Sequence, residues 1–339
     1  MYLIIAQTML KLILALAIGY GFRKARHFSP EVSKGLSTLI INVTSPLLIL
    51  HAVSGASNED RSLVYTVLAF GFVVYLILIV LSNLLVRCFR VPKYRRGAAA
   101  SMLIFANSSF MALPVCQAFY GDRAVFYISM MMLPFNLYFF TYGLRLLSKD
   151  QQTLVEMQTK EPEAWKALHG VNAHGIAKLS QETQVSKGLD FRLFINPGLI
   201  SALIAFVLFL TQTHLPDLLD ASTSFVGNLT MPLSMICIGA TMAEYPIVDI
   251  FKMRSLYWIT ALRLFGIAGL VRLSFFFLPS MQSVAGMLTL MFAMPVASMV
   301  VMAANEYGGD VEYASASVAL TTLLSMLTIP VVALLYAVL

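Results

Sequence analysis

The sequence predicts an all-α membrane protein: ten transmembrane helices in two inverted five-helix repeats, with helices 4 and 9 broken and crossing. Three observations carry that prediction. The chain of 339 residues is 59% hydrophobic and only 12% charged, about half the charge of an ordinary soluble domain, so its solvent is a bilayer. Ten apolar runs are each long enough to cross one. A polar, proline-ended stretch recurs once in each half of the chain, in the middle of such a run.

A crossing takes roughly 20 mostly apolar residues, which places spans at about 2–22, 34–54, 61–86, 96–119, 124–147, 193–212, 219–243, 253–278, 282–305 and 312–338. The chain opens Met1-Tyr2-Leu3-Ile4 without a basic flank, so the first run is expected to be a retained span rather than a cleaved signal. Lys and Arg collect on the cytoplasmic side. They cluster after span 1 (Arg23, Lys24, Arg26, Lys34), after span 3 (Arg87, Arg90, Lys93, Arg95, Arg96) and after span 5 (Lys149, Lys160, Lys166, Lys178, Lys187, Arg192). Both termini are therefore expected outside the cytoplasmic membrane. The loop with Glu306, Asp310 and Glu312 is acidic yet falls on the basic side. The net charge of +6 is explained by topology, and no nucleic acid is implied. Cys88, Cys116 and Cys237 do not cluster, so neither a disulfide framework nor a metal set is expected.

The halves run in register. Pro30-Glu31 matches Pro216-Asp217, Asn42 matches Asn228, Phe105-Ala106 matches Phe292-Ala293, and Tyr120-Gly121 matches Tyr307-Gly308, all about 186 residues apart. Five spans per half is an odd number, so the second half enters upside down. The expected organisation is a first repeat over 1–147, a cytoplasmic linker over 148–192 and an inverted second repeat over 193–339. The linker is polar and expected to be partly helical. Its His169 and His174 are better explained by a solvated loop than by a metal.

The recurrent stretch is N-x-T-x-P: Asn42 to Pro46 and Asn228 to Pro232. Proline lacks an N–H and its ring clashes with the carbonyl four residues back, so Pro46 and Pro232 are expected to break or kink their helices. A carbonyl without a partner costs several kcal/mol in hydrocarbon, so broken helices survive only against protein or a water-filled cavity. Pro114 in span 4 and Pro295 in span 9 form a second matched pair. Unwound there, the two helices could cross at mid-membrane and aim half-helix N-termini at an anion. Asn107, Ser108, Pro114, Met294 and Pro295 are candidate substrate-binding residues, with Asn42 and Asn228 beside them. The plainer reading is four proline kinks re-satisfied by nearby hydroxyls.

Lys11 and Arg263 lie inside spans that hold no central carboxylate, so both are candidates to face an anion. Snorkelling to the headgroups is the alternative for Arg263 and for Arg272. His51 could carry a proton, but a packed or interfacial histidine is the simpler account. The oxygens at the N-x-T-x-P breaks could hold sodium. Equally, Thr44 and Thr230 could bond back to carbonyls one turn earlier. The coupling ion, H+ or Na+, stays open.

With Gly19-Tyr20, Ser29-Pro30-Glu31, Asn107 to Pro114, Asn196-Pro197, Ala293-Met294-Pro295, Glu306-Tyr307-Gly308 and Thr328-Ile329-Pro330, the chain resembles bacterial members of the auxin efflux carrier family over nearly its whole length outside the linker. The resemblance implies ten spans in two repeats, with spans 4 and 9 crossing at the substrate site. It also implies transport of small organic anions, auxin-like acids or mono- and dicarboxylates. Where the family often has glycines, this chain has Ser109 and Ala112, which would narrow or change the pocket. No Walker loop, H-E-x-x-H or G-x-S-x-G appears in a plausible setting, so no enzyme and no cofactor is expected. The expected function is a secondary carrier of small organic anions working by alternating access, with the bilayer and such an anion as partners and a homodimer as a further expectation. Two other readings are a membrane-embedded ligand sensor signalling through the linker and a sodium-coupled organic-acid symporter.

Overall fold

A computed structural model describes residues 2–55, 61–160, 196–243, 253–307 and 310–337. Within them the chain is helical throughout: α1 (Tyr2–Lys24), α2 (Pro30–Leu39), α3 (Ser45–Gly55), α4 (Arg61–Cys88), α5 (Arg96–Ile104), α6 (Leu113–Tyr120), α7 (Asp122–Tyr138) and α8 (Leu144–Lys160). The second half supplies α9 (Pro197–Thr211), α10 (Asp217–Gly227), α11 (Thr230–Met242), α12 (Arg254–Ala261), α13 (Ile267–Ser274), α14 (Gln282–Phe292), α15 (Ser298–Tyr307) and α16 (Val311–Val332). The described residues contain no strand, only an isolated antiparallel bridge between Ala106 and Val296.

Among the described residues, six continuous helices are long and apolar enough to cross a membrane: Glu31–Ser54, Arg61–Cys88, Asp122–Met157, Asp217–Met242, Ser255–Phe277 and Val311–Leu335. The chain is thus an all-α, multi-pass membrane protein. Two of these helices show the form that the expected break or kink takes at the N-x-T-x-P copies: a local shift of the ladder inside a continuous helix. In the first, a wide π turn at Ile40–Thr44 joins α2 to α3, and the Ser45 N–H reaches back five residues to the Ile40 carbonyl. The wide turn ends just before Pro46, so the hydrogen-bond ladder shifts where the ring lacks its donor. In the second, one tightened turn at Asn228–Leu229 joins α10 to α11, and the Leu233 N–H resumes the ladder on the Leu229 carbonyl at 3.1 Å. Pro46 and Pro232 are accommodated without opening their helices. The back-bonding considered for Thr44 and Thr230 is not seen; both hydroxyls are buried without a partner.

Helices α1 and α11 approach until backbones nearly touch. A Cβ on Gly19 would lie 1.9 Å from the Ile236 carbonyl oxygen, and one on Gly239 would lie 2.0 Å from that of Leu16. Only hydrogen fits at either place, the small-residue packing that lets helices associate in lipid. Helix α8 continues through Lys160, so the first part of the expected linker is helical. Asp150, 2% exposed, accepts from the Gly97 and Ala98 N–H groups at 2.8 and 2.7 Å and so caps the start of α5. His169 and His174 lie outside the described residues.

The acidic stretch at 306–312 has a physical explanation. Asp310 caps α16 through the Tyr313 N–H at 2.9 Å and pairs with Arg95 from the basic loop before α5. The Arg95 guanidinium also lies 4.9 Å above the Tyr313 ring. Burial pulls its pKa down, but the charge and hydrogen bond of Asp310, with smaller contributions from Tyr94 and Tyr313, together offset that and hold it above the ordinary arginine value. Basic and acidic loops therefore share one end of the molecule.

Candidate functional site

Two helix breaks meet in the middle of the protein. Helix α5 ends at Ile104, and Phe105, Ala106 and Asn107 run extended before a π turn at Ser108–Ala112 leads into α6. Helix α14 ends at Phe292, and residues 293–297 run irregularly to α15. The two gaps exchange backbone hydrogen bonds as a minimal antiparallel pair. The Asn107 N–H donates to the Pro295 carbonyl at 2.8 Å, and the Ala297 N–H to that of Phe105 at 3.0 Å. Each gap thereby satisfies polar groups that hydrocarbon would leave bare. Pro295 stands inside its gap. Pro114 does not: it lies in the first turn of α6, and the chain opens upstream at Phe105–Asn107.

Arg263 serves three further carbonyls beside the gaps. It sits on a π turn (Leu262–Gly266) between α12 and α13 and is fully buried. Nη1 donates to the Leu103 carbonyl at 2.8 Å, Nη2 to Phe292 at 3.0 Å and Nε to Met294 at 3.0 Å. A helix end leaves four carbonyls without intrahelical partners, and this guanidinium serves the ends of both α5 and α14. The expectation that Arg263 faces an anion is corrected here: its fork is spent on backbone, and it lines neither cavity described below. Behind the crossing, Tyr75 packs against Phe105 and Phe292, the matched residues of the two halves, at 6.5 and 5.6 Å between ring centres.

Two adjoining cavities, of about 140 and 200 Å³, border the crossing and share Asn107, Phe110, Ser298 and Met302 as walls. Asn107 is 4% exposed, and its Oδ1 accepts from the Phe110 N–H at 3.3 Å. Only oxygen can accept there, so the amide's Nδ2 donors are what remains for a ligand. Ser108 and Ser109 join it in the smaller cavity, together with Asn136 and Asn196. These last two are bonded to each other, Asn196 Nδ2 donating to Asn136 Oδ1 at 3.2 Å, and Asn196 also caps α9 through the Leu199 N–H. Ser37, Thr241 and Thr322 line the larger cavity. Among the described residues, no Asp, Glu, Lys, Arg or His lines either one. The half-helices that begin at Ser108 and Ser298 point their N-termini at these walls, so the local field is weakly positive without a formal charge.

Of the other expected residues, Met294 and Pro295 form the gap backbone and line neither of these two cavities. Asn42 is exposed and outside both cavities, although its neighbours Ile41 and Ser45 line the smaller one. Asn228 is engaged elsewhere, accepting from Gln117 Nε2 at 3.0 Å. Lys11 is exposed on α1 and lines neither cavity. Sequence reasoning missed Asn136, Asn196 and Ser298 as cavity walls. The available signal was an asparagine inside an apolar run two residues past Pro134, since an amide there needs a polar neighbour. Among the described residues no three His, Cys, Asp or Glu side chains form a group fit for a metal.

Comparison with known proteins follows the same line. A family profile described as "Membrane transport protein" matches residues 4–333. Auxin efflux carrier component 8 of Arabidopsis thaliana is 22% identical over 257 residues, covering 66% of this chain and 68% of that one. With nearly its whole length matched, the chain belongs to the auxin efflux carrier family of membrane transport proteins, a family of transporters and not of enzymes.

Proposed function

We propose that the protein is a secondary carrier that moves small organic anions, carboxylates and auxin-like weak acids, across the cytoplasmic membrane by alternating access. The observation that carries this reading is the Ala106–Val296 bridge, with Asn107 presented from it to both cavities. Unwound backbone at membrane depth is tolerated where it lines a site, and matched breaks in two halves mark the site of transporters. Ten spans in two inverted repeats complete the proposal. The register of matched residues supports it, and so do the equivalent breaks in the two halves. With both termini outside, the Arg95–Asp310 end is cytoplasmic. A cavity walled by neutral donors suits a single carboxylate on a largely apolar body better than a multiply charged anion.

The test is uptake or efflux of labelled monocarboxylates by proteoliposomes. Asn107→Ala is expected to abolish transport while the protein stays folded and inserted, and a melting screen against the same acids should show stabilisation of the wild type by mass action. Wild-type transport by a well-folded Asn107→Ala protein removes the crossing as the substrate site.

A further inference from the structure

At the end of the molecule opposite the Arg95–Asp310 pair, one imidazole lies between two carboxylates from different helices. His51, on α3, has Nδ1 2.9 Å from Asp220 Oδ1 on α10 and Nε2 3.7 Å from Asp122 Oδ2 on α7. Ser54 Oγ also donates to Asp220 Oδ1, at 2.7 Å. On the α7 side, Gln117 Nε2 donates to Asp122 Oδ1 at 2.9 Å and to Asn228 Oδ1 at 3.0 Å. Gln117 belongs to α6, the half-helix that runs on from the Asn107 break, and α6 turns into α7 at Gly121, whose φ of 70° and ψ of −164° suit glycine alone. The group thus joins α3 and α10 to the α6–α7 corner, and through α6 to the cavity wall.

We propose that His51 is a proton-responsive latch that holds the α6–α7 corner against α3 and α10 when it is protonated. This rests on the carrier reading for its consequence, gating of one face, but not for its chemistry. A neutral imidazole has one N–H and one lone pair, so it satisfies one carboxylate and turns its lone pair on the other. An imidazolium donates to Asp220 and, carrying a full positive charge 3.7 Å from Asp122 Oδ2, pairs with that carboxylate as well. The contact with Asp220 is the shorter, so loss of the proton from Nε2 ends the attraction to Asp122 and loosens the corner, which then keeps the Gln117–Asn228 bond. The side chain of His51 is 18% exposed and those of Asp122 and Asp220 are 41% and 30% exposed, so solvent protons reach all three.

The surrounding charges agree with this assignment. Helix α7 contributes Asp122 and Arg123, the latter lying 5.7 Å above the Tyr127 ring. Helix α10 contributes Asp217 and Asp220, and α9 carries no charged residue. Beyond α9 stands the exposed His214, while Arg61 Nη2 reaches the Leu210 carbonyl. Glu59 and Asp60 lie outside the described residues.

The test is amide hydrogen exchange of the full-length protein in lipid nanodiscs, at about pH 5.5 and about pH 8, on either side of the ordinary histidine range. Rates are corrected for the intrinsic pH dependence of exchange. The wild type is expected to lose about fivefold of the protection over residues 117–124 at the higher pH, the scale of a partly exposed ion pair. His51→Gln and Asp122→Asn keep hydrogen-bonding groups of similar reach and are expected to abolish that difference, whereas Asp217→Asn keeps it. The same pH dependence in His51→Gln as in the wild type overturns the latch. Transport is measured in parallel. A pH-dependent corner in a protein that moves no solute keeps the latch and removes the carrier, and pH-independent protection in a working carrier does the reverse.

Discussion

Arg263→Met tests the structural role of the buried guanidinium. In the wild type, three donors serve three carbonyls, Leu103, Phe292 and Met294, at 2.8 to 3.0 Å, all beside the backbone gaps. Methionine fills much of the volume but donates nothing. Each buried carbonyl left without a donor costs about 1–3 kcal/mol, so the loss is about 3–9 kcal/mol, lessened by no longer burying a cation. Domains are stable by only about 5–15 kcal/mol, so most of that reserve is at stake. Arg263→Lys should fall between the two, because one ammonium cannot reach carbonyls spread across two helix ends as a planar fork does. The assay is thermal melting in detergent followed by fluorescence-detected gel filtration, with monocarboxylate binding measured on the protein that survives. Arg263→Met is expected either not to accumulate or to melt about 10 °C or more below the wild type. A variant that melts like the wild type and loses only ligand binding would refute the argument, and would return Arg263 to the substrate site.

Two further substitutions probe the frame around the crossing. Gly239→Ala places a methyl 2.0 Å from the Leu16 carbonyl oxygen, so α1 and α11 must separate, and the melting temperature and the yield of inserted protein are expected to fall; a wild-type melt would contradict the close packing. Asp150→Ala removes the acceptor for the Gly97 and Ala98 N–H groups and should cost about 1–2 kcal/mol, read as a lower melting temperature and faster amide exchange at the start of α5, with Asp150→Asn retaining part of the effect.

The elements legible in the sequence were those whose chemistry is local. Apolar runs gave the membrane class, and Pro295 marked where the backbone opens in the second half, whereas Pro114 pointed several residues downstream of the opening at Phe105–Asn107. At Pro46 and Pro232 the same rule left open whether the helix breaks or only kinks. A proline demands only that the ladder give way, and a π turn at Ile40–Thr44 or a tightened turn at Asn228–Leu229 meets that demand inside a continuous helix. Arg263 was legible as an unusual charge but not as to its purpose. An anion and a row of orphan carbonyls ask for the same cation, and only the fold shows which is nearer. Asp150 read as one polar residue of the connector, and only the fold shows that the start of α5 uses its carboxylate. His51 was unreadable alone, since its two carboxylates arrive from Asp122 and Asp220, far away in the chain.

That carboxylate on α8 has a mechanical consequence. The segment after Lys160 leaves from a helix whose Asp150 grips the first turn of α5, and the last turn of α5 adjoins Phe105 and the open backbone. Nine residues of helix make a stiff rod roughly 13 Å long. A push or pull on the connector, from a neighbouring protein or a covalent charge, thus has a short, rigid path to the pocket wall.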